Sequence, residues 1–281
     1  MMTLAQYLET HYKTKGIHHL IKRYTDYQNG QAATAELASI LQYIAYLRKG
    51  GVHPKTLRNH LFAIKIYYRY LQYIGQREDH PCVKLTLKDP VNRAIATEKL
   101  YTKSELDALQ ANYQCKDKRL ETRNKVILSL LINQALQVQE ISALSLENID
   151  LDKAEIYIAK TSKTHGRTLP LQATQIALLL RYLSERMQFK PKTSHFIISK
   201  YGKTLQGQGI SRLLNEGRSK ADRIQPIKIR QSAIALLLKS GGNLRLVQAF
   251  SGHKHSSSTQ AYKQSELEQL QASVNKYHPL Q

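Results

Sequence analysis

Three residues near the C-terminal end of the 281-residue chain have the types and spacing to act together on a phosphate. Arg230 lies in the run Ile227-Lys228-Ile229-Arg230-Gln231-Ser232, Gly252-His253 follows Gly241-Gly242-Asn243, and Tyr262 stands nine residues beyond His253. A guanidinium can hold two phosphate oxygens at once, an imidazole can move a proton near neutral pH, and a phenol can attack phosphorus to give a phosphotyrosine link. Cleaving a phosphodiester this way needs an in-line nucleophile, cations for the pentacovalent state and an acid for the departing oxygen. Taken singly, each residue has a plainer reading: Tyr262 is one of 17 tyrosines, Arg230 a surface arginine, Gly252-His253 a turn. His255 suggests a metal ligand, but no further ligand set accompanies it.

These groups need a scaffold, and the hydrophobic pattern describes one that is mainly α with a small antiparallel β-sheet. Residues 3–12 and 36–49 read as helices, the second stopped by Gly50-Gly51. His53-Pro54 opens a third, along which Leu57, Leu61, Ile64, Tyr68 and Leu71 recur at helical spacing. Lys55, Arg58, Lys65 and Arg69 belong to the same segment and are candidate phosphate contacts on its other faces. Periodicity fades between residues 76 and 99, where Pro81 and Pro90 appear, and Thr102 with Glu105 then forms a capping-box pattern. A helix follows over 119–133 with Val126, Ile127, Leu130 and Leu131 on its apolar side. Short strands come next at Ile156-Tyr157-Ile158 and Arg167 to Leu171, joined by a polar turn. Further helices are expected over 174–186, 209–216, 227–239, 244–250 and 265–276, with Ile227, Ile229, Ile234 and Leu237 as the apolar side beside Arg230.

The chain carries 42 Lys+Arg against 21 Asp+Glu, a net charge of +21. The first 100 residues hold 15 basic and 7 acidic residues and the remainder 27 and 14, so the charge is spread rather than confined to a tail. That distribution suits a polyanion partner bound by both halves, with steep salt dependence. No apolar run approaches the ~20 residues that span a bilayer, and Cys82 and Cys115 read as reduced thiols of a cytoplasmic protein.

The Arg230, Gly252-His253 and Tyr262 constellation resembles the catalytic box of the tyrosine site-specific recombinases, the phage-type integrases. Their pattern is His-x-x-Arg, a Gly-His pair and a Tyr nine residues beyond that His; here Ile227 stands at the first His position. The turn Lys160-Thr161-Ser162-Lys163-Thr164-His165-Gly166-Arg167 resembles the family's hairpin with its lysine general acid, Lys163 fitting best and Lys160 second, the one that is not the acid being a plain DNA phosphate contact. Gln134-Ala135-Leu136-Gln137, followed by Glu140, resembles the segment carrying the first catalytic arginine, so that Gln137 takes that arginine's place and Glu140 that of a structural glutamate. Loss of one transition-state donor typically costs ~3–4 kcal/mol, and Lys125, Arg119 and Arg123 are the nearby cations that could lean in.

The resemblance implies a two-domain DNA clamp: a helical core-binding domain over 1–88, a linker over 89–100 and a catalytic domain over 101–281. It further implies double-stranded DNA as partner, a homotetramer on paired sites with exchange of the segment from Ser265 to Tyr277, a possible partner recombinase, and no cofactor, metal or membrane. The activity expected is cutting and rejoining of DNA through a 3′-phosphotyrosyl intermediate. The alternative is a DNA-binding accessory member, weak or inactive because Gln137 and Ile227 replace charged or proton-carrying groups.

Overall fold

Leu57, Leu61, Ile64, Tyr68 and Leu71 form the buried stripe of a 20-residue helix, α4 (Pro54–Tyr73). Pro54 occupies the first helical position, where its missing N–H removes no bond, and the His53 imidazole accepts from the Lys55 amide (3.2 Å). In the computed structural model, which describes residues 2–12, 16–91 and 95–263, the chain divides into two compact units, Met1–Asn92 and Arg93–Gln281. The first unit packs α1 (Leu4–His11), α2 (Ile17–Tyr27) and α3 (Leu37–Lys49) around α4. The stripe meets Ile40, Tyr43 and Ile44 of α3, while Ala63 and Ile66 turn another side of α4 toward Tyr7, Ile17 and Ile21. Each such fully buried aliphatic side chain contributes about 1.5–3 kcal/mol.

Most of the 17 tyrosines fall in this unit, and the core shows why they are tolerated there. Tyr24 donates to the Tyr68 hydroxyl (2.6 Å), which donates in turn to the Ala32 carbonyl (2.9 Å); the Tyr43 hydroxyl pairs with His60 Nδ1 (3.0 Å). Buried hydroxyls with partners forfeit little of the gain from burying the rings. Helix α2 is not foreseen from the sequence, because Ile17, Ile21 and Tyr24 are interleaved with His18, His19, Lys22 and Arg23. Both cysteines are free and buried. Among the described residues no helix is long and apolar enough to cross a membrane.

The second unit is built around α6 (Glu121–Asn133), which is buried on nearly every side from Thr122 to Leu131. Preceding it, α5 (Lys103–Ala111) starts with the anticipated capping box, Glu105 accepting from the Thr102 amide (2.7 Å) and Thr102 Oγ1 from the Glu105 amide (3.3 Å). After α6 come the short α7 (Val138–Ala143) and an antiparallel sheet in the order β1 (Ile149–Asp150), β2 (Glu155–Ile158), β3 (Arg167–Pro170). Ile156 pairs with Leu169 and Ile158 with Arg167, so the isoleucines and Leu169 face the core while Glu155 and Tyr157 face outward. Then follow α8 (Ala173–Gln188), α9 (Gly207–Leu214), α10 (Pro226–Lys239) and α11 (Leu244–Ser251), with residues 256–263 helical again. Both α8 and α10 pack on α6. The helix expected over 265–276, and with it the segment from Ser265 to Tyr277, lies outside the described residues.

A buried amide pair closes the end of α6. Gln134 Nε2 donates to the Pro170 carbonyl and to Gln175 Oε1, and Gln175 Nε2 donates to Ser129 Oγ and Gln134 Oε1, all at 2.9 Å. This pair fixes the turn in which Ala135 adopts a left-handed conformation (φ 49°). Gln175→Leu takes from Gln134 Oε1 its donor in the amide pair and from Ser129 Oγ one of its two, and is expected to destabilise the protein by about 1–3 kcal/mol, read as a lower midpoint in urea denaturation.

Candidate active site

The left-handed turn at Ala135 aims its carbonyl at Arg230, and α7 begins immediately after it with Gln137 as its N-cap. Glu140 closes that first turn by accepting from the Gln137 amide (2.8 Å). Its carboxylate is fully buried and also accepts from Thr164 Oγ1 (2.8 Å) and from two nitrogens of Arg167 (2.7 and 3.2 Å); Arg230 Nη1 lies 3.6 Å away. Burial pushes the Glu140 carboxyl up, but the Arg167 guanidinium, the Gln137 amide and the Thr164 hydroxyl together hold it below its ordinary value.

Arg230 is 3% exposed. Its Nη2 donates to the Ser251 carbonyl (2.7 Å) and its Nη1 to the Ala135 carbonyl, so the last residue of α11 and the turn after α6 grip the same guanidinium. Of the expected apolar side of α10, Ile229 and Ile234 are buried and Leu237 partly so. Ile227 is 59% exposed because it sits in the first turn, ahead of the packed part of the helix.

Helix α11 ends at Gly252 in the left-handed region (φ 70°), which swings the chain so that His253 folds back. The His253 amide donates to the Gln248 carbonyl (3.1 Å), and Nδ1 pairs with Thr259 Oγ1 (2.9 Å), leaving Nε2 for a substrate. Burial, then the charges of Arg230 and Arg167, lower the His253 imidazole to about 4, so it is neutral at physiological pH. Tyr262, in the helical stretch 256–263, is 4% exposed; its ring packs with Ala135, Ile234 and Val247. Its plane lies 17° from that of His253, with ring centroids 6.5 Å apart. Burial raises the phenol to about 12, and the Arg230 charge acts in the opposite direction.

The β2–β3 hairpin is fastened to this cluster. The His165 amide donates to the Gly252 carbonyl (2.9 Å), Thr164 and His253 form an isolated antiparallel bridge, and Lys254 Nζ donates to the Ser162 carbonyl (3.0 Å). Lys160 and Lys163 are both exposed on that hairpin. Tyr262, Arg230, His253, Glu140 and the hairpin therefore meet in one place, with half-buried Gln137 at its edge. A cavity of about 850 Å³ lined by Arg123, Tyr201 and Arg212 shares none of these residues.

The cations expected to lean toward Gln137 are engaged elsewhere. Arg119 pairs with Asp117 (2.9 Å), Lys125 with Glu121 (2.8 Å), and buried Arg123 donates to Asn124 and to the Ile198 carbonyl (3.0 Å). The guanidinium that does join the cluster is Arg167, which sequence patterning did not single out; its place opposite Ile158 on β3, one residue past the hairpin, was the available signal. In the first unit, Lys55 and Arg69 are exposed, whereas Lys65 Nζ donates to the Val83 carbonyl and Arg58 to the Asp89 carbonyl (both 2.8 Å).

Known proteins resemble this chain over most of its length. Tyrosine recombinase XerC of Chromobacterium violaceum is 27% identical over 259 residues, covering 90% of this chain and 83% of the relative. XerC of Alcanivorax borkumensis is 28% identical over 242 residues, covering 84% and 77%. Among solved structures, the Tn1549 transposon integrase in complex with transposon right end DNA superposes with a TM-score of 0.65 at 14% identity, covering 97% of each chain. The XerH site-specific recombinase bound to difH substrate gives 0.63 at 18% identity, over 90% of this chain and 75% of the other. The model of the phage integrase family matches residues 99–269, more than half of the chain and all of the clustered side chains described above, and the chain belongs to that family.

Proposed function

We propose that this chain is a site-specific DNA recombinase or integrase that cuts and rejoins duplex DNA through a 3′-phosphotyrosyl intermediate. The observation that carries this reading is the near-parallel placement of the His253 and Tyr262 rings, centroids 6.5 Å apart, with the Arg230 charge acting on both. Arg230, held by two carbonyls, binds non-bridging oxygens of the scissile phosphate and neutralises the pentacovalent state. Tyr262 Oη bonds to phosphorus while the bond from phosphorus to the 5′ oxygen breaks. The phenolic proton passes to neutral His253, and Lys163, or Lys160 in its place, protonates the departing 5′ oxygen. Rejoining runs the same steps backward from a new 5′ hydroxyl. Because Tyr262 is 4% exposed, residues 256–263 shift on DNA binding to bring Oη in line.

The charge of +21 supports duplex DNA as the partner. The helical region over 1–88 serves as the core-binding domain, with Lys55, Arg58, Lys65 and Arg69 on phosphates, joined through residues 89–100 to a catalytic domain over 101–281. Action as a homotetramer on paired sites, alone or with a partner recombinase, is the assembly this proposal includes. A second reading, an accessory DNA-binding member with little catalysis, is favoured by the neutral side chains at Gln137 and Ile227.

Three outcomes are expected. Incubation with nicked suicide duplexes carrying the end sequence of its element yields a denaturant-resistant protein–DNA adduct that disappears in Tyr262→Phe; tight site-specific binding with no adduct supports the accessory reading instead. Gln137→Arg, which restores a charged donor at the start of α7, speeds adduct formation by about 10²-fold. The single-turnover rate is flat from about pH 6 to 8, since the histidine is already neutral there and loses its capacity to accept a proton only as the pH falls toward about 4. An acid limb centred near the ordinary histidine value of ~6.5 contradicts a His253 held neutral by burial and its neighbouring guanidinium groups.

A further inference from the structure

One side chain of β3 ties three segments of the site together. Arg167 Nε donates to the Phe250 carbonyl near the end of α11 (2.7 Å). Its Nη1 donates to Glu140 Oε1 (2.7 Å) and at longer range to the His165 carbonyl (3.4 Å), and its Nη2 to Glu140 Oε2 (3.2 Å). The partners come from α11, the first turn of α7 and the hairpin itself. The side chain is 7% exposed, and all three guanidinium nitrogens are committed to protein oxygens. Protein oxygens thus fix Arg167 at every guanidinium nitrogen, as suits a side chain that holds neighbouring segments in register.

Its position explains a residue of the Gly-His pair. A Cβ built on Gly252 falls 2.5 Å from Arg167 Nη1 and 2.9 Å from Cζ, with the His165 carbonyl oxygen at 3.2 Å. The left-handed backbone at Gly252 already favours glycine; the guanidinium beneath it removes the space for any side chain as well. The same guanidinium lies under the bond from the His165 amide to the Gly252 carbonyl, through which the lysine-bearing hairpin is registered against His253.

We propose that Arg167 is a positioning residue of this site, locking the β2–β3 hairpin and the Gly252-His253 turn together through the Glu140 carboxylate, and that Gly252 is glycine to make room for it. The lock is a property of the fold; its consequence for strand cleavage rests on the recombinase reading above. Arg167→Met removes both the fork and the charge, whereas Arg167→Lys keeps a charge without the fork. Arg167→Met takes from the buried Glu140 carboxylate its nearest cation, so the pair Glu140→Gln with Arg167→Met, which removes both members of that ion pair while Arg230 keeps its two carbonyl partners, carries the test if the single variant does not fold.

The experiment has two arms on the full chain, each variant being checked for folding by thermal melting. The first needs no DNA: hydrogen exchange of the His165 amide and, by NMR, the titration of the His253 ring, which Arg230, Arg167 and Glu140 all influence. Arg167→Met and the paired variant are expected to lose about tenfold or more of the His165 protection while α6 keeps its own. In Arg167→Met the His253 ring titrates at higher pH than in the parent, and in Arg167→Lys it stays near the parent value. In the second arm, adduct formation at saturating DNA falls by about 10²-fold in Arg167→Met with DNA affinity retained, as expected of misplaced rather than missing reacting groups. Unchanged His165 exchange and His253 titration in the folded variants overturn the proposal, whatever cleavage does. If those first readouts move as expected but not even the parent protein forms an adduct, the lock stands and the recombinase reading falls.

Discussion

A carboxylate with no access to solvent organises the catalytic unit. Burying an ionised carboxyl costs several kcal/mol unless hydrogen bonds and opposite charge replace its water, and Glu140 obtains those replacements from four different places in the chain. The Gln137 amide belongs to its own helix turn, the Thr164 hydroxyl to the hairpin, and Arg167 and Arg230 to β3 and α10. A chain that places Glu140 in the core must bring all of them together. Packing around α6 buries that meeting point, and Arg230, His253 and Tyr262 gather around it.

The same economy of charge sets the state of the two residues between which the proposed reaction moves a proton. Burial and two guanidinium groups keep His253 unprotonated, and burial keeps Tyr262 protonated, which are the forms the proposed reaction starts from. Neither needs a shifted value matched to neutral pH, because the phosphate itself brings the negative charge that makes a protonated imidazole acceptable. The arrangement thus favours proton transfer during attack over standing ionisation of the phenol.

Substitution of two family positions leaves the framework intact. Gln137 still caps α7 and its amide still binds Glu140, and Ile227 lies in solvent at the start of α10, where it disturbs no packing. What changes is the supply of charge and protons at the edge of the cluster. Neither the lysine nor the arginines of α6 and its approach make up the difference, since Asp117, Glu121 and backbone carbonyls occupy them.

Periodicity and capping chemistry made most of the helices readable: α4 from its 3.6-residue stripe and Pro54, α5 from Thr102 and Glu105, β2 and β3 from short runs flanking a polar turn. Residue type and spacing likewise marked Arg230, His253 and Tyr262, because a motif on consecutive local elements is written along the chain, while the hairpin lysines stood out only through the family resemblance. Helix α2 was hidden by the histidines and basic residues between its apolar positions, and α7 by being a six-residue helix. Arg167 was invisible for a different reason. Its role depends on a carboxylate 27 residues upstream and a carbonyl 83 residues downstream, and such separations leave no pattern in a sequence until packing closes the distances.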